Sequence, residues 1–188
     1  MIIVCYGDSN TYGYDGDEIF GGRFPEGRRW PDLLGLMLGC ETVNCGLNGR
    51  RVPRFRRSIE ADIALLRRCG DGAVVIVMLG TNDILAEAEA EDTAEHMGCF
   101  LEALRKAMPQ STVLLAAPPA VTSFGEDYIQ CSEALAAAYE RLAEESGVFF
   151  ADTTSWQIPM GGDSVHFSEQ GHRLFALKMG QTLRALLR

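Results

Sequence analysis

Residues able to do chemistry are gathered in a few short polar stretches between apolar runs. Gly7-Asp8-Ser9-Asn10 ends the first apolar run and offers a hydroxyl. GLNGRR (46–51) offers the glycine backbone at Gly49, and Gly80-Thr81-Asn82-Asp83 offers an amide. MGGDSVHF (160–167) holds Asp163 and His166, three residues apart. An alcohol is a poor nucleophile until a neighbouring base takes its proton, so Ser9 requires an imidazole. His166 sits on a loop beside an acid and is the candidate base. One tight turn can bring Asp163 within reach of its other ring nitrogen, fixing tautomer and orientation. The chemistry this set supports is nucleophilic attack by an activated serine.

Each residue also has a structural use. Ser9 would serve as a helix cap, and Asn82 and Gly49 as turn residues. Asp8 and Asp83 are read as supports for loops and helix starts. His96 falls in an amphipathic helix and His172 inside the last helix, so both are read as structural. A metal site of Asp163, His166 and His172 is the alternative use of the acid–imidazole pair. No metal and no cofactor is expected.

Short β-rich runs that alternate with helical patterns would position these stretches. The strands are IIVCY, ETVNC, AVVIVML (73–79), STVLLAA (111–117) and VFFAD (148–152). The helices are WPDLLGLML, FRRSIEADIALLRRC (55–69), DTAEHMGCFLEALRKAM (92–108), EDYIQCSEALAAAYERLAEES (126–146) and SEQGHRLFALKMGQTLRALL (168–187). AVVIVML is apolar throughout, as expected of a strand buried on both faces of a parallel sheet. The pattern predicts an α/β protein of one domain, residues 1–188: a three-layer α/β/α sandwich with a five-stranded parallel sheet. Right-handed crossovers then bring every strand-to-helix loop to one sheet edge, where open α/β sheets bind ligands.

Gly7-Asp8-Ser9, Gly49, Gly80-Thr81-Asn82-Asp83 and Asp163-Ser164-Val165-His166 together resemble the four blocks of the SGNH (GDSL) hydrolases, in order. CYGDSNTYGY, RRWPDLLG, VIVMLGTND, LLAAPPAV and DSVHFSEQGH look most similar to the bacterial arylesterase/acyltransferase (perhydrolase) branch. The resemblance covers essentially the whole chain. It implies a flavodoxin-like SGNH fold and a serine esterase working through an acyl-enzyme, with Ser9 as nucleophile, His166 as base and Asp163 as orienting acid. It assigns the oxyanion donors to the Ser9 N–H, the Gly49 N–H and the Asn82 amide. Asn10, Tyr12 and Tyr14 are expected to line the substrate pocket, Tyr12 and Tyr14 matching aromatic positions of that branch. Core packing is the other reading for these aromatics and for Trp30. The Gly49–Gly80 stretch is shorter and richer in arginine than in the branch's best-known members, and the loop after APPAVTSFGED is compact.

From this follows an expectation of short-chain acyl (acetyl-like) or aryl esters as substrates, with acyl transfer as a side activity and carbohydrate O-acetylesterase, thioesterase or lysophospholipase as alternatives. A ligand-binding protein on the same fold is the non-enzymatic alternative. A small homo-oligomer is expected, with hydrolysis exceeding acyl transfer.

A net charge of −9 argues against nucleic acid as a partner, since phosphate binding needs a basic footprint. The local exception, RRVPRFRR (50–57), is read as a solvated helix face, with an interface or anion-steering rim as the alternative. MIIVCYG enters a strand at once, without a charged leader, and no apolar run approaches the roughly 20 residues of a membrane span. Six cysteines without a CxxC pair suggest buried free thiols in a reducing compartment. The expectation is a cytoplasmic protein acting on a small-molecule ester, with no nucleic-acid or membrane partner.

Overall fold

Val74–Met78 is buried at all five positions and forms the central strand of a five-stranded parallel sheet. The computed structural model describes residues 1–18 and 20–186. In chain order the elements are β1 (Ile2–Gly7), α1 (Ser9–Tyr12), β2 (Tyr14–Asp15), β3 (Gly22–Arg23), α2 (Trp30–Leu38), β4 (Glu41–Gly46), α3 (Arg56–Arg67) and β5 (Val74–Met78). They continue with α4 (Thr81–Ile84), α5 (Ala90–Ala107), β6 (Thr112–Ala117), α6 (Glu126–Ser146), β7 (Phe149–Asp152), a 3₁₀ turn (Thr154–Trp156) and α7 (Glu169–Leu186).

The sheet runs β4-β1-β5-β6-β7. Its order reverses between β1 and β5, so the loops after these strands diverge and leave a crevice at their carboxyl ends. Side chains alternate across the sheet with the period of two that a strand dictates. Val4, Tyr6, Val75, Val77, Val113 and Leu115 pack under α3, α5 and α6. Ile3, Cys5, Val74, Ile76, Met78 and Leu114 pack under α2 and α7. Trp30 belongs to this second core, fully buried with its ring 5.0 Å from Phe175. The three-layer architecture and its five parallel strands match the sequence expectation, with ends shifted by a residue or two.

Three features differ from that expectation. A two-stranded hairpin, β2–β3, occupies the stretch before α2. The basic run is not one solvated face. The Arg56 side chain is 91% exposed, but that of Arg50 is 9% exposed, and Arg54 is drawn to Asp92 (2.9 Å) and Asp83 (3.8 Å). The acids of neighbouring segments pull these two arginines inward. Lastly, all six cysteines are free, yet Cys99 and Cys131 are exposed, because each lies on the outer side of its helix. Leu187, the last residue of the expected C-terminal helix, lies outside the described residues.

Candidate active site

Three loops at the carboxyl ends of adjacent strands β4, β1 and β5 carry Gly49, Ser9 and Asn82 side by side. Ser9 is the first residue of the single-turn helix α1 and is buried apart from 7% of its surface. Asp8 caps that helix, its Oδ1 accepting from the Asn10 N–H at 2.9 Å. Gly46 allows the β4 loop to pass directly against α1: a Cβ there would lie 2.1 Å from the Tyr12 nitrogen.

The fourth loop has further to travel. β7 is the far edge strand, three strands from β1, or about 14 Å at ordinary strand spacing. The chain after β7 crosses back to Ser9 before α7 packs against α2. Asn10 fixes its arrival, its Oδ1 accepting from Phe167 N–H at 2.8 Å and its Nδ2 donating to the Val165 carbonyl at 3.1 Å. These two bonds bracket His166. Expected as a pocket residue, Asn10 is instead 3% exposed and turned inward to hold this loop, because a buried N–H and a part-buried carbonyl need partners there.

His166 Nε2 lies 2.9 Å from Ser9 Oγ, and its Nδ1 lies 2.6 Å from Asp163 Oδ2. A carboxylate only accepts, so Nδ1 carries the proton and Nε2 faces the hydroxyl as an acceptor. Asp163 Oδ1 accepts from the backbone N–H groups of Val165 (3.0 Å) and His166 (2.9 Å), which makes the turn rigid. Partial burial pushes the Asp163 carboxyl up, but bonds from the His166 backbone, the His166 ring and the Val165 backbone outweigh it, and the net shift is downward. The acid is therefore held as the anion that orients the imidazole. The Tyr14 ring tilts over His166 at 4.5 Å, forming one wall, while Tyr12 stands aside beneath the Arg23 guanidinium at 4.0 Å.

The Ser9 N–H is one of the donors that the first turn of a helix leaves free. Gly49 has a φ of 70° in the loop after β4, and its N–H has no hydrogen-bond partner among the described residues. Asn82 Nδ2 uses one proton on the Arg50 carbonyl at 3.0 Å and keeps the other. The remaining histidines lie elsewhere. His96 Nδ1 meets the Asp92 carbonyl, and buried His172 accepts from Trp30 N–H at 3.2 Å. Among the described residues no three His, Cys, Asp or Glu side chains are grouped to hold a metal ion, so His172 does not join Asp163 and His166.

Residues 5–174 match the model of the GDSL-like lipase/acylhydrolase family. The chain belongs to this family. Its fold is shared over nearly the whole length with solved protein structures. The aryl esterase of M. smegmatis is 26% identical, with 98% of this chain and 99% of that one covered at a TM-score of 0.85. Est24, a carbohydrate acetylesterase from Sinorhizobium meliloti, is 22% identical over 98% and 99% of the two chains at a TM-score of 0.86. A lipolytic G-D-S-L protein from Veillonella parvula is 22% identical over 98% of each chain at a TM-score of 0.79. At these two lower identities the likeness is one of fold. Among curated protein sequences none matches. As a GDSL-like acylhydrolase with an esterase among its structural relatives, the protein is an ester hydrolase.

Proposed function

We propose that this acylhydrolase is a serine esterase that cleaves acetyl and other short acyl esters through an acyl-enzyme on Ser9. The carrying observation is the unbroken series Ser9 Oγ, His166 Nε2 at 2.9 Å, His166 Nδ1 and Asp163 Oδ2 at 2.6 Å. Ser9 Oγ attacks the ester carbonyl while His166 takes its proton. The imidazolium formed is stabilised by Asp163 and returns the proton to the leaving alkoxide. The oxyanion that develops is met by the Ser9 N–H, the Gly49 N–H and the free Asn82 amide proton. Each such donor contributes about 3 kcal/mol in the transition state. Water, activated by the same imidazole, discharges the acyl group. An alcohol in its place would make the reaction acyl transfer.

The preference for short acyl groups rests on the ground beneath the serine. The β4 loop lies directly on α1 at Gly46, and Tyr14 covers one side of the imidazole. A long acyl chain would then lie along the surface and gain little of the roughly 0.8 kcal/mol that each buried methylene contributes. Hydrolysis of p-nitrophenyl esters from acetyl to dodecanoyl tests this. Catalytic efficiency is expected to peak between acetyl and butyryl, and a steady rise to dodecanoyl would overturn the short-acyl reading.

A further inference from the structure

The Arg50 side chain is the least exposed of the arginines of the basic run that form ion pairs, and it is turned inward, away from solvent. Its Nη1 donates to the Gly7 carbonyl at 2.9 Å and to the Cys45 carbonyl at 2.5 Å. Its Nη2 lies 3.6 Å from Asp62 on α3, and its guanidinium stacks 4.3 Å over the buried Tyr6 ring. Gly7 ends β1 one residue before Asp8-Ser9, and Cys45 stands next to last in β4. The backbone of the same residue is held as well. Its N–H donates to the Leu47 carbonyl at 3.2 Å, and its carbonyl accepts from Asn82 at 3.0 Å.

We propose that Arg50 is a positioning residue for the oxyanion site, clamping the Gly49 turn to the strand ends that carry Ser9 and tying both to Asn82. The inference rests on the esterase reading above. The three oxyanion donors lie on separate segments at the strand ends, and one residue bonds to Gly7 beside the serine turn, to Leu47 in the Gly49 turn and to Asn82 itself. A planar guanidinium can bridge two carbonyls while stacking on an aromatic ring, whereas a lysine ammonium is a point charge that cannot do all three. Donor position matters because the oxyanion must be met at hydrogen-bond distance as it forms. A misplacement of about 1 Å can cost about 100-fold in rate.

The test compares Arg50→Met and Arg50→Lys with wild type and with Arg56→Met, the exposed neighbour. Active sites are counted by the end point of fluorophosphonate labelling, so that kcat refers to folded enzyme. With p-nitrophenyl acetate, Arg50→Met is expected to lower kcat about 10- to 100-fold, with KM changed less than about 2-fold. Affinity for a trifluoromethyl ketone, which forms a tetrahedral oxyanion on Ser9, should fall in parallel. Arg50→Lys should lie between this variant and wild type, and Arg56→Met should match wild type. Unchanged kcat and ketone affinity in Arg50→Met would overturn the inference, as would a loss confined to KM or to the count of active sites. If Arg50→Met does not fold, Arg50→Lys decides, and wild-type values there would overturn it. A wild-type enzyme that neither labels at Ser9 nor cleaves esters would instead sink the esterase reading itself.

Discussion

Asn10 and Phe167 are joined by a hydrogen bond of 2.8 Å between side-chain Oδ1 and backbone N–H, across 157 residues of chain. With the companion bond to Val165, it sets where the His166 loop meets the serine helix. Removing the side chain leaves two largely buried backbone groups unpaired, at a cost of about 1–3 kcal/mol each. Asn10→Ala is therefore expected to lower kcat about 10- to 100-fold through a displaced imidazole, with little change in KM and a lower Tm. Steady-state kinetics together with a melting curve measure this. A rise in KM alone would return Asn10 to the substrate pocket.

Gly16 faces the candidate acid. A Cβ at this position would lie 2.1 Å from Asp163 Oδ2, the oxygen that holds His166. Next to it, Asp17 Oδ1 accepts from the Gly162 N–H at 2.6 Å, so hairpin and acid loop are fastened together and neither can retreat freely. Gly16→Ala should lower kcat at least about 10-fold by moving the carboxylate. Kinetics at saturating substrate check this, and wild-type kcat would show that the hairpin yields instead.

Asp8 gives a signature in pH. Burial beneath Ser9 pushes its carboxyl up to about 6, against the Asn10 amide and the Thr81 hydroxyl, which lower it. Its Oδ2 has no partner within hydrogen-bond geometry. Between about pH 4 and pH 6 the folded chain keeps a proton on Asp8 that the unfolded chain has released. The group thus favours folding at the acid end, and that contribution is lost as pH rises through the folded value. The window is worth about 3 kcal/mol at most. Asp8→Asn keeps a cap acceptor and does not titrate, so its Tm relative to wild type should climb from pH 4 to pH 7. Parallel Tm curves for the two proteins would contradict this.

Much of the site could be read before the fold because its signals are local. Ser9 and Asn82 each stand three residues past the end of an apolar run, at Tyr6 and Leu79, and Asp163 and His166 are one turn apart. Their residue types are those the chemistry requires. What could not be read depends on distant chain. Nothing in the spacing of Arg50 and Arg51 says that the first tucks its side chain between two strand ends while the second is exposed. The inward turn of Asn10 depends on where residues 165–167 return. The β2–β3 hairpin has two residues per strand, too few for a period-two signal, and α1 and α4 are single turns. β1, β5 and β6 were legible because burial on both faces makes them almost continuously apolar, whereas the edge strands β4 and β7 are only partly buried and carry the weaker signal.

The central claim is that Ser9 is the nucleophile. Labelling with a fluorophosphonate, followed by peptide mapping in a mass spectrometer, tests it most directly. The adduct is expected on Ser9 at one equivalent per chain, and Ser9→Ala should lose both labelling and ester hydrolysis while keeping the wild-type fold by circular dichroism. Esterase activity that persists in Ser9→Ala, or an adduct on any other residue, would contradict the account.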